Sequence, residues 1–229
     1  MREGVLATKR HKRLKKETLR LLCLFVANSL FSGTLLCAQS RDVWISGGAS
    51  NFRFPYTHTN RNLGSTDVSG NRDDIQLGNG WRIGFRLALN SSSSFGHEFQ
   101  YSYSRPDFID KTGNALGNPG SGRMEIHQAG YNFLYYFSSR EAAVRPLATV
   151  GVHFNDFVLP GSATIGHDSD SKFGFNYGVG LKWRITPLLG LRGDLRGYET
   201  GKPDWGGALV NQSGLLHQIE ASAGLGIYF

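Results

Sequence analysis

The 229-residue sequence has two cysteines, Cys23 and Cys37, and none beyond residue 37. The bulk of the chain therefore forms no disulfide. An exported chain of that kind is stabilised by packing or by closing its backbone hydrogen bonds on itself. After residue 38 no run of 18 apolar residues appears, which excludes helical membrane spans. Charge of one sign is also missing from most of the chain. The formal net charge is +7, but residues 1–20 alone carry +6, which leaves +1 for the rest, and nucleic acid is not an expected partner. The histidines after residue 38 (His58, His97, His127, His153, His167 and His217) form neither HExxH nor a close Cys/His cluster, so no metal site and no cofactor are expected. The glycine-rich Gly113–Gly122 lacks the Gly-Lys-Ser/Thr ending of a phosphate loop and reads as a flexible connection. Asp168-Ser169-Asp170 reads as solvated loop carboxylates rather than a calcium site.

The first 38 residues have the three parts of a secretory signal. A basic stretch ends at Arg20, an apolar stretch covers Leu21–Phe31, and small and polar residues lead to Ala38. Cleavage after Ala38 is expected, giving a mature chain of 39–229. Asn28 and Ser29 interrupt the apolar run, which is shorter than the ~20 residues of a spanning helix, and this argues against a retained anchor. Leu36 is bulky for the position before a lipidated cysteine, which argues against a lipoprotein.

The mature region reads as strands, because its apolar residues recur with period two. The last stretch, Leu216–Phe229 (LHQIEASAGLGIYF), puts Ile219, Ala221, Ala223, Leu225, Ile227 and Phe229 on one face and Gln218, Glu220, Ser222 and two glycines on the other, with Tyr228. Seven further strands are expected at 42–54, 75–89, 95–104, 123–137, 143–154, 172–185 and 189–198. The facing of the first is open, since Val43 and Ile45 compete with Trp44, Phe52 and Phe54. The connections alternate long, short, long, short, long, short, long. Eight strands, apolar aromatic-rich on one face and polar on the other, predict an all-β, antiparallel up-and-down transmembrane β-barrel with four long external loops and short periplasmic turns. A soluble lipocalin-like carrier would have the opposite arrangement, apolar inside and polar outside.

The terminal amphipathic strand with its final Phe229 resembles the outer-membrane β-barrel family. Together with Lys172–Tyr198 (KFGFNYGVGLKWRITPLLGLRGDLRGY) and Arg145–Gly151 (RPLATVG), the whole of 39–229 resembles the small OmpA-like barrels. That resemblance implies an eight-stranded barrel in the bacterial outer membrane with a structural or interaction role. It also implies that Tyr228 and Phe229 form an assembly signal read by the barrel-assembly machinery. Many relatives carry a peptidoglycan-binding domain after the barrel, and since this sequence ends at the barrel that role is not carried over. The expected function is a non-enzymatic outer-membrane barrel whose partners are outer-membrane lipid, the assembly machinery and an unidentified ligand of the loops. One alternative is a barrel enzyme modifying lipid A through a surface residue such as His127, although no suitably spaced serine nucleophile accompanies it.

By strand parity the lumen receives Arg82, Arg86, Glu98, Arg145, Lys182, Arg184, Arg192, Asp194, Arg196 and Glu220. An eight-stranded barrel is only wide enough for side chains to fill, and buried charges need partners. A charge lattice plugging the lumen is expected, with Asp194 its most heavily paired anion. The expected pairs are Arg86 with Glu98, Lys182 near Arg192 and Asp194, and Arg196 with Glu220. A narrow anion-selective pore lined by the same arginines is the alternative. On the outer face Val179→Arg is expected to be costly, and Gly178→Ser, facing inward, milder.

Overall fold

Period-two alternation becomes nine hydrogen-bonded strand segments: β1 (Ser40–Asn51), β2 (Ile75–Asn90), β3 (Phe95–Asp110), β4 (Gly120–Arg123), β5 (Glu125–Tyr136), β6 (Val144–Val158), β7 (Ser169–Arg184), β8 (Leu189–Gly201) and β9 (Leu215–Tyr228). The computed structural model describes residues 40–52, 75–91, 93–111, 118–161, 169–203 and 215–229. The expected signal segment, the expected loop at 55–74 and the central parts of the other three long connections lie outside the described residues.

Neighbouring strands pair antiparallel, β3 with β2 and with both β4 and β5, and β1 pairs with both β2 and β9, so the sheet closes. Closure leaves no free edge, and in a lipid environment that is the only way a sheet can satisfy its backbone groups. The nine segments make eight staves. β4 and β5 share one register against β3, with Phe108 opposite Gly122 and Ser104 opposite Ile126. The interruption falls where Pro106 faces Met124. Proline has no N–H to give, so the ladder keeps only one bond there, from Met124 N–H to the Pro106 carbonyl at 3.1 Å.

The open question of β1 is resolved by Trp44, which is fully buried inside while Ile45 is exposed outside. Its indole fits because the facing residue on β9 is Gly226, where a Cβ would lie 2.4 Å from the ring. Over the middle of the barrel the outer face is apolar: Ile83, Phe85, Tyr131, Phe175, Val179 and Leu225 are all exposed. On β7 the outward aromatic residues Phe173 and Trp183 stand ten residues apart. At ~3.3 Å per residue and a tilt of ~40° that spans ~25 Å, the height of an outer-membrane apolar band.

Toward the long-loop end the strands run further than the sequence pattern predicts. β3 continues to Asp110, β6 to Val158 and β8 to Gly201, and β7 begins at Ser169. The faces exchange character in these extensions. Phe108, Met124, Ile126, Phe157 and Leu216 now point inward and join Phe52, Leu77 and Leu159 in a buried apolar cluster. Many residues outside are instead polar, including Arg105, Asp107, Glu125, Asp156 and Glu199, with an Arg105–Glu125 ion pair at 3.6 Å. Outside the bilayer the solvent is water, so apolar groups turn in and charges turn out. A second, smaller apolar cluster of Ala88, Leu134, Tyr136 and Leu147 lies inside near the short turns. The interior is thus layered, with polar side chains below the larger apolar cluster, while the smaller cluster shares its level with the buried Asp42 and Lys182.

Candidate functional site: the charge lattice of the lumen

The polar layer is built by inward positions of β2, β3, β8 and β9, because alternate residues of adjacent strands converge on the axis of a narrow barrel. Four guanidinium groups meet three carboxylates there. Asp194 accepts from Arg192 Nε at 2.8 Å, from Arg86 at 3.1 Å and from Arg196 at 3.0 Å. Glu98 accepts from Arg192 at 2.6 Å, from Arg196 at 2.8 Å and from Asn132 at 3.1 Å, with Arg86 more distant at 3.9 Å. Glu220 receives Arg86 at 2.5 Å, Arg82 at 3.2 Å and the Tyr198 hydroxyl at 2.6 Å. All seven charged side chains are buried. Arg196 has room because Gly178 faces it across the β7–β8 ladder. A Cβ on Gly178 would lie 2.5 Å from the Leu195 carbonyl and 2.8 Å from Arg196 Cγ.

Several arrangements differ from the sequence expectation. Lys182 does not turn toward Asp194 but binds both oxygens of Asp42, at 2.9 and 3.0 Å, and receives no carboxylate from β8. Asp42 shares the inward parity of Trp44, whose indole N–H also donates to it at 2.5 Å. It could not be read from the sequence while the facing of β1 was open. Arg196 lies directly opposite Glu220 in register, yet its fork goes to Asp194, Glu98 and the Gln100 side-chain oxygen at 2.9 Å. Arg184 is outside the lattice altogether. It is half-buried at the short-turn mouth, donates to the Arg140 carbonyl at 3.1 Å and lies over the Tyr228 ring. Arg145 is likewise at that mouth, stacked on Tyr136 at 3.8 Å. A strand's last inward residue points at a barrel end rather than at its centre, and parity alone does not separate the two. Sequence reasoning also missed the neutral partners: Gln128, which accepts from Arg82; Asn132; Gln100; and Tyr198.

The other singled-out residues lie elsewhere. His127 is on the outer face with its Nδ1 2.8 Å from the Tyr101 hydroxyl, and His97 forms a similar pair with Tyr131 at 2.6 Å. His153 faces the lumen and meets the Thr200 hydroxyl at 2.7 Å. Among the described residues no three His, Cys, Asp or Glu side chains converge to hold a metal ion. Tyr228 packs edge-on against Trp44, with ring centroids 5.5 Å apart. The Phe229 ring is exposed, while its backbone exchanges two 2.9 Å hydrogen bonds with Arg41 that close the barrel seam.

Comparison with known proteins points the same way. The chain resembles the solid-state NMR structure of the outer membrane protein AlkL in lipid bilayers, at 17% identity and a TM-score of 0.53, covering 83% of this chain and 89% of that one. It is similar in fold to the outer membrane protein OprG from Pseudomonas aeruginosa, at 10% identity and a TM-score of 0.52, covering 84% and 96%. A comparison with curated protein sequences found no match. The model of the family described as the outer membrane protein beta-barrel domain matches residues 29–229. A closed barrel, apolar without and charged within, whose sequence fits that family over all of its described length, belongs to the outer membrane protein beta-barrel family and resides in the bacterial outer membrane.

Proposed function

We propose that this protein is a non-enzymatic outer-membrane barrel with a structural or surface-interaction role, and that its lumen is plugged rather than conducting. The carrying observation is that the carboxylates of the lumen lattice are consumed by their own partners. Asp194, Glu98 and Glu220 are each bound by at least two arginines, and an apolar cluster lies beyond them toward the long-loop end. Carboxylates committed in this way are neither free bases nor free ion sites. Interaction is then left to the external connections, and insertion to the assembly machinery acting on the strand that ends in Tyr228 and Phe229. Planar-bilayer recording of the purified barrel tests the plug. The expected trace is silent, and a steady, large, anion-selective conductance would overturn it in favour of a pore lined by the same arginines.

A further inference from the structure

The short-turn end of the barrel carries a second set of arginines that the lattice does not use. Arg140 lies in the turn after β5, Arg145 near the start of β6 and Arg184 at the end of β7, and all three line one open cavity of about 320 Å³. Glu141 and Asp42 share its wall, but Asp42 is already engaged by Lys182. Each guanidinium is oriented by a main-chain carbonyl: Arg140 by Asn90 at 3.3 Å, Arg145 by Ser93 at 2.8 Å and Arg184 by Arg140 at 3.1 Å. Arg145 is only 3% exposed, and its Nε has no hydrogen-bond partner, nor does that of Arg184. Among the described residues neither Arg145 nor Arg184 forms an ion pair. Carbonyls fix the direction of a guanidinium without neutralising it. Arg145 and Arg184 are therefore held toward one cavity as like charges, with donors still unspent, and Arg140 lines the same cavity.

The chemistry that completes such a set is an oxyanion, whose geometry matches the guanidinium fork and whose charge relieves the repulsion. A multiply charged phosphate suits converged guanidinium groups better than a single carboxylate ligand does. The short turns mark the periplasmic side of an outer-membrane barrel. We propose that this mouth is a phosphate-binding site open to the periplasm. Its occupant is either free phosphate or the head-group phosphate of a lipid from the inner leaflet.

The test uses the full chain folded in a neutral maltoside detergent and titrated calorimetrically with inorganic phosphate at low ionic strength. Saturable binding is expected. Arg145→Gln and Arg184→Gln should each weaken it about tenfold or more, the scale of one charge-assisted hydrogen bond. Glu141→Gln should tighten it, because it removes a like-signed neighbour. Glu141 is exposed in a turn, so this variant reads the site even where an arginine variant fails to fold, and a purely structural role for the arginines would not give the opposite sign. Repeating the titration in phosphatidylglycerol nanodiscs separates the two sources. Phosphate binding that persists there identifies free phosphate as the occupant, and binding that is competed away identifies the lipid head group. Absence of saturable phosphate binding in detergent, or the same affinity in all three variants, would overturn the proposal.

Discussion

Asp194 is the residue whose loss should be felt most. Its carboxylate serves Arg86, Arg192 and Arg196 together, and all four side chains are buried. Asp194→Ala would leave those guanidiniums converged without their shared anion. Breaking a buried ion pair by removing one partner costs about 3–5 kcal/mol. Denaturant titration in lipid vesicles should show a loss of that size, and an unchanged midpoint would mean that Glu98 and Glu220 take over the pairing. Gly178 is a second sensitive point. Parity predicts Gly178→Ser to be milder than Val179→Arg, because Gly178 faces a polar lumen, but the structure shows that it is not free of cost. The added Cβ would meet backbone at 2.5 Å, and backbone cannot swing aside. Gly178→Ser should therefore destabilise by about 1–3 kcal/mol, the scale of an overpacked core. The same titration measures it, and a neutral result would show that β7 and β8 can move apart.

At the scale of the strand, β7 tests the lipid face and the β1–β9 seam tests assembly. Val179 is 56% exposed on the outer face of β7, between the aromatic residues at 173 and 183. Val179→Arg should cost roughly 2–4 kcal/mol if that position is at the bilayer midplane. A cost near zero would place the membrane elsewhere along the strand. Phe229 differs in kind, since its ring is exposed but its backbone bonds Arg41 twice. Phe229→Ala keeps those bonds and removes only the ring, whereas deletion removes both. If Phe229 is an assembly signal, Phe229→Ala should lower the yield in the outer-membrane fraction while leaving the denaturant midpoint of the folded barrel nearly unchanged. Wild-type yield would dismiss the signal reading.

For the whole molecule the layering of the lumen matters more than any single pair. The charge lattice and the apolar cluster of Phe108, Phe157 and their neighbours lie in series along the barrel axis. Two barriers in series must both be opened before ions pass. Asp194→Ala alone should remain silent in planar-bilayer recording, whereas Asp194→Ala combined with Phe157→Ser should conduct. Conductance from the single variant would show that the apolar layer is no seal. The exchange of faces along β3 and β6 follows from the same geometry. One continuous strand passes from lipid into water, and each environment selects the opposite face to be apolar.

The sequence by itself determined the closed barrel, because alternation, an even strand count and short turns are local and repetitive. Trp81, Ile83 and Phe85 against Arg82 and Arg86, or Phe173 to Ile185 against the glycines between them, leave one arrangement in lipid. It determined too that Arg82, Arg86, Glu98, Arg192, Asp194, Arg196 and Glu220 face inward, since parity needs no knowledge of distant partners, but not that Asp42 does, because the facing of its strand was open. Only the tertiary structure decided who pairs with whom. Asp42 and Lys182 are 140 residues apart, and Arg196 passes over its facing neighbour Glu220 for carboxylates on β3 and on its own strand. Side chains meeting across a barrel are set by shear and by the space that glycines leave, and neither is carried by any local run of residues. The strand extensions were hidden for a related reason. Period two persists through Phe108 and Phe157, but its apolar phase reverses where the strand leaves the membrane, and a reversed phase read along the chain alone looks like a loop.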